Sequence, residues 1–257
     1  MDVHDTIRAF GSKLEPLLRS ACIPLYTRAV EHDFIRPLGT GSLLEVAEKR
    51  WLVTASHVLV EGRRDQLIAG NLIAGHQFSV EGVAIGNERD DVGILELDQR
   101  SAGLFEGARW LRVTDLRLDP PQVSDVCVLA GYPVDLQRRG GPTSALAYIT
   151  RQHDGDYKAF SSDPAEHLLL DYDHAESIAA EPDRGPPPDR LQGISGSAVW
   201  RLDDTGSDQM RATVVAIETG VFPLPGRLIV KATRIGAVLG LIGRAYPDLR
   251  GALTLTL

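Results

Sequence analysis

Short apolar runs bounded by turn-forming residues recur along the chain, and they read as β-strands rather than helices. In the first half these runs are Ile23–Tyr26, Leu43–Val46, Trp51–Thr54, Gln66–Ile68, Phe78–Ile85 and Val92–Leu97. In the second half they are Asp125–Ala130, Ala145–Thr150, His167–Asp171, Ala198–Arg201, Thr213–Glu218 and Leu228–Ala232. Strands that succeed one another without alternating helices predict antiparallel sandwiches or barrels, not a parallel α/β sheet. Helical spacing appears at the two ends. Ile7, Phe10, Leu14, Leu17, Leu18 and Ala21 mark an amphipathic helix over residues 5–21, with Asp5 as its cap and Pro16 as a kink or split. Ile235–Tyr246 predicts a closing helix. The N-terminal helix is expected to cover one barrel, the alternative being a regulatory partner site. Asp119-Pro120-Pro121 is a natural crossing between the halves.

Composition narrows the class. A chain of 257 residues that is 43% hydrophobic can bury a sizeable core. With 27 basic and 35 acidic residues the net charge is −8, which gives no electrostatic footprint for nucleic acid. The two cysteines, Cys22 and Cys127, form neither a metal-spaced pair nor a disulfide framework. The start, Met1-Asp2-Val3-His4-Asp5, is acidic and lacks the apolar core of a signal peptide. No apolar run approaches the ~18–20 residues of a membrane span. A cytoplasmic location, away from membranes, is the resulting expectation.

Three motifs carry the chemistry: Thr54-Ala55-Ser56-His57-Val58, Asp91-Val92-Gly93-Ile94-Leu95 and Gly193-Ile194-Ser195-Gly196-Ser197. A serine hydroxyl is a poor nucleophile unless an imidazole takes its proton. A carboxylate that accepts from the other ring nitrogen sets the tautomer this requires. His57, Asp91 and Ser195 supply these three groups as the catalytic candidates. Asp91 is preferred over Asp90 because it directly precedes the apolar run. Gly193 lets the backbone turn its amides to one point, so the Gly193 and Ser195 N–H groups are the oxyanion-hole candidates. Asp171-Tyr172-Asp173-His174 has metal-capable atoms but no ligand spacing, and no metal or cofactor is expected.

In their order along the chain these motifs resemble the trypsin/chymotrypsin superfamily of serine proteases. The first is similar to the family's Thr-Ala-Ala-His, the second to Asp-Ile-Ala-Leu-Leu and the third to Gly-Asp-Ser-Gly-Gly. Gly39-Thr40-Gly41 and Ala130-Gly131-Tyr132-Pro133 resemble segments of bacterial trypsin-like and heat-shock proteases. The resemblance spans Ile23 to Gly236. It implies an all-β fold of two six-stranded antiparallel barrels, with an N-terminal and a C-terminal helix. The implied division is a helical extension over 1–28, a first barrel with His57 and Asp91 over 29–118, and a second with Ser195 over 119–257. The implied activity is intracellular endopeptidase action on a protein or peptide substrate, in a stress or defence pathway by family analogy.

Departures from the pattern matter as well. Asp189 lies six residues before Ser195, where trypsin-type enzymes hold the carboxylate that recognises Arg or Lys. The preceding Gly185-Pro186-Pro187-Pro188 differs from the family, so an exposed-loop role stands beside the pocket role. Glu218, with Gly220, lines the implied substrate-binding segment and is the alternative acidic determinant. Ile194 cannot form the ion pair that activates zymogens, so N-terminal clipping is not expected to switch the site on. A catalytically silent fold acting as a protein-binding module is the rival reading. An α/β-hydrolase esterase is disfavoured by Ser197 and by the order of the motifs.

Overall fold

The computed structural model describes residues 14–28, 34–71, 73–134, 146–172, 190–203 and 211–253. Helix α1 (Glu15–Ala21) leads into β1 (Cys22–Arg28), and Pro16 sits in its first turn, where a missing amide costs nothing. Pro16, expected to kink or split a helix over 5–21, stands at the start of this one. Residues 1–13, including the proposed Asp5 cap, lie outside the described residues.

The first half forms β1, β2 (Ile35–Val46), β3 (Lys49–Ala55), α2 (Ser56–Arg64), β4 (Gln66–Asn71), β5 (His76–Ser79), β6 (Gly82–Asn87) and β7 (Val92–Leu97). Helix α3 (Gln99–Gly103) and the short β8 (Leu111–Arg112) follow. The second half forms β9 (Val126–Gly131), β10 (Leu146–Gln152), β11 (His167–Tyr172), β12 (Ala198–Asp203), β13 (Arg211–Leu224) and β14 (Arg227–Arg234), closed by α4 (Ile235–Ala245). The latter matches the expected C-terminal helix.

Strands β10-β11-β14-β13-β12-β9 close into a six-stranded antiparallel barrel. The other barrel expected from the resemblance is not a closed ring. It is an eight-stranded sheet in the order β5-β4-β1-β2-β3-β7-β6, with β8 beside β2. The cause is a break in the single strand expected over Phe78–Ile85. At the break, Val80 N–H donates to the Leu67 carbonyl (3.1 Å) and Glu81 N–H to the Ser101 hydroxyl (3.3 Å). The chain then turns into β6 at Gly82, so close to β7 that a Cβ there would lie 1.9 Å from the Glu96 carbonyl oxygen. The sheet's two ends are thus joined by two residues of chain instead of a hydrogen-bond ladder.

One core cluster crosses the molecule, bringing Leu14 at the N-cap and Leu18 of α1 together with Trp51 and Ile94 of the first sheet and Val128 and Trp200 of the barrel. Separate clusters fill the first sheet around Leu25, Leu52 and Phe105 and the barrel around Tyr148, Leu168 and Val230. Burial of this kind contributes about 25 cal/mol per Å² of apolar surface and dominates the stabilisation.

Candidate active site

Strand β3 runs directly into α2, whose first turn has no side-chain cap of its own. The turn's orphan amides are satisfied from the loop before β7 instead. Ser56 N–H donates to the Asp91 carbonyl (3.0 Å), and His57 N–H donates to Asp91 Oδ1 (3.0 Å). The second carboxylate oxygen, Oδ2, lies 2.7 Å from His57 Nδ1. An ionised carboxylate can only accept, so Nδ1 carries the proton and Nε2 keeps its lone pair. Asp91 adopts a left-handed backbone (φ +48), which turns its side chain back over the helix start. The hydrogen bond to Asp91 raises the His57 pKa above its ordinary value, and partial burial opposes it. Asp90 is engaged elsewhere: Asn87 Nδ2 donates to its carboxylate, and the Thr233 hydroxyl donates to its carbonyl.

Ser195 sits on a loop strung between the two halves. Thr40 of β2 fixes it from one side: its N–H donates to the Ser195 carbonyl (2.8 Å) and its hydroxyl to the Gly193 carbonyl (2.9 Å). From the other side, Gly196 N–H donates to the Glu218 carbonyl (2.8 Å). Gly193 and Gly196 have φ of +92 and +91. A Cβ on Gly196 would meet Thr54 Oγ1 at 2.0 Å, so no other residue fits there. With both carbonyls tied back, the Gly193 and Ser195 amides donate to no protein acceptor among the described residues. Ile194 is fully buried in the barrel core.

Among the described residues no hydrogen bond joins the His57 ring to the Ser195 hydroxyl. The hydroxyl lies near Glu218, whose side chain is completely buried and whose carboxylate oxygens have no partner in full hydrogen-bond geometry. Gly220 is half-buried, and a Cβ there would meet nothing within 4 Å. Asp189 lies outside the described residues, as do Asp173 and His174. Sequence reasoning missed the clamp made by Thr40. Gly39-Thr40-Gly41 was visible as a motif, but its partners are more than 150 positions away.

Among the described residues no group of three or more His, Cys, Asp or Glu side chains converges as a metal-ligand set. Both cysteines are buried, and burial pushes their thiols up to about 12, which leaves them unreactive. No helix among the described residues is long and apolar enough to cross a membrane.

No protein-family model and no curated protein sequence matches the chain. Among solved structures, it is similar to the apo protease domain of MamO from Magnetospirillum magneticum. That likeness has a TM-score of 0.51 at 10% identity and covers 87% of this chain and 96% of that one. It is also similar to a Sesbania mosaic virus structure, from work on aromatic interactions that drive the coupled folding and binding of the intrinsically disordered VPg protein. There the TM-score is 0.48 at 16% identity, with 85% and 87% of the two chains covered. Similarity to MamO, together with the six-stranded barrel, supports a trypsin-like fold and nothing finer.

Proposed function

We propose that the chain is a serine endopeptidase that cleaves peptide bonds through Ser195, His57 and Asp91. The observation that carries this reading is the two-point hold of Asp91 on His57, which leaves Nε2 as a base. In the proposed reaction Ser195 Oγ attacks the substrate carbonyl while its proton passes to His57 Nε2. The Gly193 and Ser195 amides stabilise the resulting oxyanion. The His57 proton then goes to the leaving amine, and water hydrolyses the acyl-enzyme by the same route. The missing His57–Ser195 hydrogen bond is compatible with this scheme, because such bonds often tighten only once substrate is bound.

In the same reading residues 29–118, together with β1 that pairs into their sheet, and residues 119–257 are the two lobes, with the substrate groove between them and Gly220 on its wall. Asp189 remains a candidate for recognising a basic side chain, a soluble cytoplasmic setting is retained, and the N-terminal helix stays the candidate contact for a regulatory partner. The missing hydrogen bond also favours a second reading, a catalytically silent module that binds proteins. A fluorophosphonate probe separates the two. Labelling of the parent protein, lost in both Ser195→Ala and His57→Ala, is the expected result. A parent that takes up no probe and cleaves no peptide from a fluorogenic library establishes the silent module.

A further inference from the structure

Among the described residues, Glu218 is a carboxylate of the candidate site that the proposed reaction does not use. It lies on β13 where that strand passes behind the Ser195 loop, with its own N–H donating to the Ser197 carbonyl (2.8 Å). The side chain is entirely shielded from water, and neither carboxylate oxygen has a partner in full hydrogen-bond geometry. The nearby Gly196 amide is already committed to the Glu218 carbonyl. An ionised carboxylate in such a place is costly, so the acid keeps its proton far above the usual range. Burial pushes its pKa up to about 8, and the Asp91 charge adds to the effect. The Gly220 and Gly196 amides and the Ser195 hydroxyl partly offset it, because they favour the ionised form.

We propose that Glu218 is a positioning residue that competes with His57 for the Ser195 hydroxyl: ionised it holds the hydroxyl back, and protonated it releases it. The inference rests on the serine-peptidase reading. An anionic carboxylate accepts the Ser195 O–H strongly, which turns the proton away from His57 Nε2. A neutral acid has no comparable claim on it, and the hydroxyl is free to swing to the base. Only a proton exchanged with solvent is gained or lost.

Among the described residues, the titratable or charged groups on the surrounding elements are Asp91, His57 and Asp90 on the first-sheet side, Lys231 on β14 and His167 on β11. Of these, Asp91 is the charge that acts on Glu218.

The test is fluorophosphonate labelling rate against pH in the full chain and in Glu218→Gln, beside ¹³C NMR titration of the Glu218 carboxyl in the unsubstituted protein. The parent rate should fall several-fold as pH rises through about 8. Glu218→Gln should lack that fall while keeping the rise at lower pH due to His57. The NMR midpoint should move up in Ser195→Ala, which removes the donor to the ionised form, and down in Asp91→Asn, which removes the repelling charge. A parent that labels with no alkaline fall, or a fall unchanged in Glu218→Gln, overturns the role of Glu218 and leaves the peptidase reading intact. No labelling at any pH sinks the peptidase reading, and with it the competition, even if the NMR midpoints move as expected. Midpoints indifferent to both substitutions overturn the proposal without any variant at position 218 having to fold.

Discussion

Asp91 holds His57 by its amide and its ring at once, so a single side chain both caps a helix and orients a base. Asparagine at this position can still accept the backbone N–H through its oxygen, but its NH₂ then faces Nδ1. That arrangement moves the ring proton to Nε2 and removes the base. Asp91→Asn should therefore lower kcat by about 10⁴-fold, the size of the same change in trypsin, with little loss of thermal stability. The pH profile belongs to the same pair. Because Asp91 favours the imidazolium, the neutral base builds up only above the ordinary value of about 6.5, so kcat/KM should rise through a pKa higher than that. Stability follows the opposite sense: the pair's contribution is complete below about pH 6.5 and is lost as pH climbs through the raised value. A rise centred at or below the free-imidazole value in steady-state kinetics contradicts the pairing.

Thr40 makes the loop that carries Ser195 depend on β2, a strand of the opposite half. Its hydroxyl donates to the Gly193 carbonyl and accepts from Tyr132 N–H (3.0 Å), and it is fully buried. Valine has the same shape and neither capability, so Thr40→Val strands a buried donor and a buried acceptor. The expected cost is about 1–3 kcal/mol, read from the urea unfolding midpoint, with slower probe labelling as the loop loosens. Such couplings explain what could be read in advance. Trp51–Thr54 and Val92–Leu97 announce themselves because both faces are largely covered and apolar residues dominate, Thr54 and Glu96 being the polar exceptions. Only the last four residues of β2 did so, since Pro37, Gly39 and Gly41 disguise the rest. The residues of β13 beyond Glu218 were hidden by Pro223, and the break after β5 rests on contacts with Leu67, Glu96 and Ser101, which lie outside the run. The three site motifs were legible because each keeps its chemistry within five residues. The burial of Glu218 was not, because a strand's alternation gives no hint of what packs behind it.

Helix α1 ties the two halves together, since its Leu18 and Ala21, with Leu14 at the N-cap, enter the cluster shared by both. Leu18→Ala should cost roughly 2–5 kcal/mol. In a chain this long that lowers the melting temperature by several degrees in calorimetry, as a single cooperative transition. Two separated transitions would mean that the halves do not share a core. The two halves also differ in how they are fastened. A strand of the closed barrel can leave only by parting ladders on both sides. The sheet that ends at β5 and β6 is a belt with its buckle undone: its last strands can peel outward with no ring to tear. Among the described residues, room to yield to a bulky neighbour is expected on that flank, away from the closed hoop that backs Ser195.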